Sequence, residues 1–223
     1  MNLTMSDKIL IEKLNGGHAC ALIRDGTVID LFGDPPEGTF NNRVNVGSIF
    51  SAVPVRHLMG AHGYILNLGS KLKGFIKKSK DLKVGESLFV QCVNVANENK
   101  LSLFSKDILI KEKYFIINPS GRGASLSKKL SSNERLKDLK DNQLKYFLSK
   151  NSMGIILRSS CINLSNQEVI GKIRKRMDKY SDIFMDKSRT PRMIFSGQKA
   201  KERASAEWAH VKKENVIESS GWF

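Results

Sequence analysis

Two aromatic side chains, Tyr64 and Phe75, stand among Lys71, Lys73, Lys77, Lys78 and Lys80. Rings beside ammonium groups are what single-stranded nucleic acid needs, with bases stacking on the rings and phosphates following the cations. Two readings fit: Tyr64, Phe75, Lys73 and Lys77 form an exposed platform, or the rings belong to the core of a strand-rich fold. A second set is Arg158-Ser159 after the apolar run GIIL, with Lys128-Lys129 upstream. A guanidinium fork, a hydroxyl and nearby ammonium groups can grip a terminal phosphate. Arginine after an apolar strand is common, so this pattern is weak by itself. A third set is Asp178, Asp182 and Asp186, spaced by four along a helical stretch. Carboxylates so placed can hold magnesium for hydrolysis. The neighbouring Arg174, Lys175 and Lys179 favour an ordinary solvated face, and no catalytic or metal residue is assigned.

Other catalytic patterns are missing. His57 and His62 flank a turn and have no Cys or third His to complete a metal set. No phosphate-cradling glycine loop with a following lysine and no nucleophile elbow occurs. Cys20, Cys92 and Cys161 are widely separated in apolar stretches, which predicts reduced core thiols.

Charge sets the class of partner. The chain has 37 Lys and Arg against 22 Asp and Glu, a net +15, and between Lys71 and Lys150 there are 18 basic and 8 acidic residues. Such an excess suits a polyanion, nucleic acid above all, or else a lysine-rich solvated surface. No apolar run approaches a membrane span, and the N-terminus lacks the pattern of a secretory signal, so a cytoplasmic location without membrane contact is expected.

The elements that must position these residues are mostly short strands. KILIEKL and HACALIRDGTVIDLF read as three, the last two joined at Asp25-Gly26, with Asp34-Pro35-Pro36-Glu37-Gly38 as a linker. Five strands follow at 46–55, 62–68, 73–77, 87–96 and 100–106, turning at Met59-Gly60-Ala61 and at Asn97-Glu98-Asn99. Glycine at their bends predicts a small closed barrel of the oligonucleotide-binding type. Beyond it come a strand at 114–119, a joint at Gly121-Arg122-Gly123 and a basic segment at 125–130. A helix at 133–149 carries Leu136, Leu139, Leu144, Phe147 and Leu148, and a strand follows at 154–160. Ser165 and Glu168 form a capping box. It opens a helix with Val169, Ile173, Met177, Tyr180 and Phe184 on one side. A last helix is predicted over 198–213.

In this order the chain resembles the N-terminal part of the ribonuclease E/G family, in the manner of its shorter members. HACALIRDGTVIDL resembles the family's opening hairpin. VGSIFSAVPV, GYILNL, KGFI and VGESLFVQCVNV resemble its embedded RNA-binding barrel. YFIINPSGRGASLSKKL is similar to the stretch leading into its 5′-end sensor, GIILRSS resembles the sensor strand, and EVIGKIRKRMDKYSDI the helix after it. The resemblance implies that Tyr64 and Phe75 contact single-stranded RNA, and that Arg158 and Ser159 bind a 5′-monophosphate. Ser159 stands where the family usually has Thr. Lys128 and Lys129 replace its usual arginines and lose the bidentate fork. The family's two magnesium-holding aspartates, in contexts like V-x-I-D-x-N and D-F-x-x-M, have no counterpart in these residues. Magnesium is therefore implied only if a catalytic domain is supplied from elsewhere.

The expected fold is α+β, with an N-terminal β segment at 1–40 packing against the C-terminal region. A barrel at 44–108 and a sensor-like α/β region at 112–223 complete it. The expected function is holding single-stranded RNA and sensing its 5′ end within endoribonucleolytic processing or decay. The alternative is a stand-alone RNA-binding protein acting on RNA structure or translation. A third reading, a self-sufficient nuclease on Asp178 and Asp182, is the least favoured. A partner carrying the catalytic domain and a homo-oligomer are both left open as assemblies.

Overall fold

The computed structural model describes residues 7–35, 44–96, 100–149, 153–184 and 188–222. Three sheets organise them. In the first, β1 (Lys8–Leu14), β2 (Gly17–Arg24) and β3 (Thr27–Gly33) form an antiparallel meander. Asp25 and Gly26 turn β2 into β3 with φ of 49° and 79°, the left-handed pair that a two-residue hairpin demands. A late strand, 216–219, runs parallel to β1 on its other edge. Helix 200–207 covers this sheet, with Trp208 stacked on Phe32 at 4.7 Å and its indole N–H donating to Asp30 at 3.0 Å. Asp34, read from the sequence as part of a linker, accepts from the backbone N–H of Ala200 at 2.7 Å and so caps that helix from far away in the chain. The rest of that linker lies outside the described residues.

The second sheet is the barrel. β4 (Ile49–Leu58), β5 (Gly63–Gly69), β6 (Leu72–Lys77), β7 (Leu88–Asn94) and β8 (Ser102–Ser105) close in the order β4-β5-β6-β8-β7, with β7 returning to β4. All neighbours are antiparallel except β6 and β8. This is the expected five-stranded oligonucleotide-binding barrel, and the chain is α+β. Phe50, Ala52, Leu66, Leu68, Ile76, Val90, Cys92 and Phe104 fill its interior. Gly74 is required there, because the Phe104 ring lies 2.5 Å from where its Cβ would stand. The predicted Asn97-Glu98-Asn99 turn lies outside the described residues.

The third sheet runs β11 (Gly123–Leu126), β12 (Gly154–Leu157), β10 (Phe115–Asn118), β9 (Ile110–Lys111). Gly123 therefore opens a strand instead of ending a joint. Behind the sheet pack α1 (Glu134–Asp138), α2 (Lys145–Ser149) and α3 (Asn166–Phe184). Between α1 and α2 the helix is a π segment, Leu139–Leu144. The apolar stripe steps by five from Leu139 to Leu144, and the wider i→i+5 turn keeps both leucines fully buried. The capping box forms: the Glu168 carboxylate accepts from the Ser165 amide at 2.8 Å, and the Glu168 amide donates to the Ser165 hydroxyl at 3.3 Å.

Three sequence expectations need correction. The strand predicted to 160 ends at Leu157, and Ser159–Asn163 is a 3-10 turn held by the Ser160 hydroxyl on the Lys113 carbonyl. The last helix, α4, spans only Ala200–Glu207, because Trp208 leaves helical geometry to pack on Phe32. β13 (Arg192–Phe195), where no strand was expected, extends the barrel by pairing antiparallel with β4. The strand beside β1 is β14 (Val216–Ser219). Cys20, Cys92 and Cys161 are buried free thiols, and burial pushes them up to about 11, 12 and 11. No helix among the described residues is long and apolar enough to cross a membrane.

Candidate nucleic-acid interface

The outer face of the barrel is built by the pairing of β5 with β6. Ile65 stands opposite Phe75, and Phe75 stands opposite Leu103 of β8. These three half-buried side chains make an apolar row across three strands. Residues two apart on a strand share a face, so Lys73 and Lys77, both exposed, bracket Phe75 along β6. An aromatic ring with an ammonium group on either side is suited to stack a base and hold its flanking phosphates. In barrels of this class, the face of the second and third strands is where oligonucleotides bind. Here those strands are β5 and β6.

Tyr64 does not share that face. It pairs with Ile76, which is buried in the barrel, and its own ring packs against the interior cluster. Its neighbour is His57, with ring centroids 4.8 Å apart and planes tilted by 40°. The structure therefore brings Phe75, Lys73 and Lys77 together and turns Tyr64 inward, toward one end of the barrel.

The second set converges through strand direction. β11 and β12 are parallel, with Leu126 beside Leu157, so their carboxyl ends lie side by side. The chain leaves β11 through Ser127 into a 3-10 turn holding Lys128 and Lys129. It leaves β12 through Arg158 into the turn that begins at Ser159. The amide of Ser127 donates to the Leu157 carbonyl at 2.9 Å, which fixes the two exits together. Lys128, Lys129 and Ser159 are exposed. Among the described residues the buried Ser127 hydroxyl has no hydrogen-bond partner, a polar atom left over beside two lysines.

Arg158 is more tied down than its sequence context suggests. One terminal nitrogen of its guanidinium, Nη1, donates to the carbonyls of Glu112, at 2.8 Å, and Ala206. Its own amide donates to Tyr114 at 2.9 Å. Arg158 thus joins β12 to the segment before β10 and to α4, leaving Nε and Nη2 without partners among the described residues.

A model of the Ribonuclease E/G family matches residues 110–220, about half of the chain. The chain belongs to the ribonuclease E/G family. The family stretch begins at β9 and ends just after β14. It contains Arg158, Ser159, Lys128 and Lys129, whereas the barrel and the opening hairpin lie outside it. No curated protein matches the chain.

Within the family stretch, a groove of about 610 Å³ opens between α3 and α4, floored by Glu112–Phe115. Lys172, Lys175, Arg176 and Lys179 line one wall. The Glu112 carboxylate accepts from the Tyr180 hydroxyl at 3.1 Å and lies 3.3 Å from Arg176. Burial holds it above the usual carboxylate range, against the opposing pull of Arg176 and Tyr180. The sequence puts these cations on one face of α3, but the groove they line depends on how α4 docks. Asp178 is exposed on α3, while the Asp182 side chain and Asp186 lie outside the described residues. Among the described residues, no three His, Cys, Asp or Glu side chains gather closely enough to hold a metal ion.

Proposed function

We propose that this member of the ribonuclease E/G family holds single-stranded RNA and receives its 5′ end, as the substrate-handling part of RNA processing or decay. The observation that carries this reading is the parallel pairing of β11 with β12, which delivers Lys128, Lys129, Arg158 and Ser159 to one edge of the family-matched region. A 5′-phosphate there would meet two ammonium groups, the Ser159 hydroxyl and the unpartnered side of the Arg158 guanidinium. The strand would also cross the barrel, with a base on Phe75 and phosphates on Lys73 and Lys77. Tyr64 would act at most from the barrel end, beside His57.

Cleavage, in this reading, belongs to an assembly in the cytoplasm. A catalytic domain on a partner chain, or on further copies, would bring the magnesium site. The second reading, a stand-alone RNA-binding protein, needs no such partner. Both start from the same binding step.

The test uses the purified chain and single-stranded RNA carrying either a 5′-monophosphate or a 5′-hydroxyl. Tighter binding of the monophosphate, weakened by Ser159→Ala and Lys128→Gln, is expected. Equal affinity for the two ends would remove the end site. Stacking on one ring is worth about 1–3 kcal/mol per base, so Phe75→Ala should weaken both RNAs. Magnesium-dependent cleavage by the chain alone would overturn the need for a partner.

A further inference from the structure

We propose that the groove between α3 and α4 is a second track for the phosphate backbone of single-stranded RNA, held by Lys172, Lys175 and Lys179. It rests on the RNA-binding reading above and extends it beyond the β5–β6 face.

α3 turns Val169, Ile173, Met177 and Tyr180 into the core. Its next stripe, Lys172, Lys175, Arg176 and Lys179, follows the three-and-four spacing that aligns side chains along one line of a helix. From Lys172 to Lys179 the stripe runs about 10 Å along the axis, long enough to follow an extended backbone past a single phosphate. A solvated helix face usually interleaves acids with its lysines, since like charges at these spacings are destabilising. Among the described residues no carboxylate lies within ion-pair distance of Lys172, Lys175 or Lys179; Glu168, one turn before Lys172, and Glu112, near Lys179, act on them only at longer range. The groove's carboxylates are already engaged: Glu112 by Tyr180 and Arg176, and Glu202 by the Lys199 amide at 3.3 Å. The lining sets Lys113, Lys172, Lys175, Arg176, Lys179 and Lys201 against only Glu112 and Glu202, so the groove stays net positive.

The groove also leads from the end site. Arg158 donates to the carbonyls of Glu112 and Ala206, and both residues line the groove. A strand with its 5′ end at Ser159 would reach the lysine wall from there. The rings at hand favour phosphate over base contacts. Tyr180 is buried, and Tyr114 already has the Lys172 and Lys113 ammonium groups at 5.1 and 5.6 Å from its ring centroid. The track would follow the backbone without reading sequence.

The experiment titrates the intact chain with a fluorescent 5′-hydroxyl single-stranded RNA across a salt series. It compares the wild type, Lys172→Gln/Lys175→Gln/Lys179→Gln, and a control with equal charge loss, Lys13→Gln/Lys145→Gln/Lys213→Gln. The groove variant should bind about tenfold or more weakly, and its salt slope should fall by about 2, near 0.7 for each lost phosphate contact. The control should stay near the wild type. A second measurement needs no variant: bound RNA should protect Lys172, Lys175 and Lys179 of the wild-type chain from acetylation. Wild-type binding with unchanged groove-variant affinity, or equal losses in both triple variants, would overturn the track. So would full acetylation of these lysines in the complex. No RNA binding by the wild type at all would instead bring down the underlying functional reading.

Discussion

The ring of Phe75 occupies the space that a side chain at Gly63 would fill. A Cβ on Gly63 would sit 2.3 Å from the Phe75 Cζ and 2.4 Å from the Ile76 carbonyl oxygen. Phe75 is thus set on the barrel's outer face by a glycine on the neighbouring strand. Gly63→Ala should cost about 1–3 kcal/mol in urea unfolding, since the crowding includes backbone that cannot swing aside. It should also weaken RNA binding in the folded protein by displacing the ring. Normal stability of Gly63→Ala would show that the ring is not held this way.

Arg158 combines the roles of brace and ligand. Truncation to Ala leaves the carbonyls of Glu112 and Ala206 without their donor, and hydrogen bonds from a charged group are worth about 1.5–3 kcal/mol. Arg158→Ala is expected to lower stability by about 2–4 kcal/mol, measured by denaturant titration, in addition to any loss of 5′-phosphate preference. Ser159→Ala should leave stability within about 0.5 kcal/mol, because Ser159 is exposed. A stable Arg158→Ala chain would contradict the brace.

Glu112 gives a pH signature of definite sign. Its folded carboxyl is raised by burial, so the folded state holds that proton more tightly than the unfolded chain. Its penalty is absent below the ordinary Glu range and grows as pH rises through the folded value. Glu112→Gln keeps an acceptor for Tyr180 and removes the buried charge. The variant should be more stable than the wild type at pH 7, with the gain shrinking as pH falls through the folded value and gone below about pH 4. A loss at pH 7 would mean that the Arg176 and Tyr180 contacts outweigh the burial.

The π segment should tolerate a deletion. Removing Asn142 places Leu144 four residues after Leu139, the spacing of an ordinary α-helix, with Leu148 still four further on. The deletion should leave stability within about 1 kcal/mol of the wild type and keep the far-ultraviolet signal. A chain unfolded by it would show that the wide turn does more than correct the stripe.

The β5–β6 turn should be improvable. Ser70 and Lys71 both have left-handed backbone, with φ of 47° and 64°, where Asn and Gly are at ease. Ser70→Asn with Lys71→Gly should raise stability by about 1 kcal/mol, seen as a shifted urea midpoint. An unchanged or lower midpoint would mean that the native side chains hold the turn by other contacts.

Much of this arrangement is legible in the residues, and its gaps have physical causes. LKGFIK places Lys73, Phe75 and Lys77 on one face by simple alternation. The face of Tyr64 depends on pairing register, and a slip of one residue would turn it outward. The five-residue step from Leu139 to Leu144 is visible in the sequence, but helical spacing alone does not show that a π turn absorbs it. β11, β13 and β14 are four-residue strands. Their local sequence does not specify them, since partners distant in the chain supply the pairing. The meeting of Lys128 with Ser159 likewise follows from β11 joining β12.

The pairing of Ile9 with Val216 spans nearly the whole chain, and the Glu12 carboxylate accepts from the amides of Gly221 and Trp222 at 2.7 Å each. During synthesis β1 is made long before β14, and its outer edge stays uncovered until that strand appears. The barrel strands β4 to β8 can close before β14 is made, but the first sheet cannot. Its assembly is a late event of high contact order, during which an unpaired edge is open to other chains. A stalled or truncated product would therefore carry a finished barrel beside an adhesive, half-built sheet.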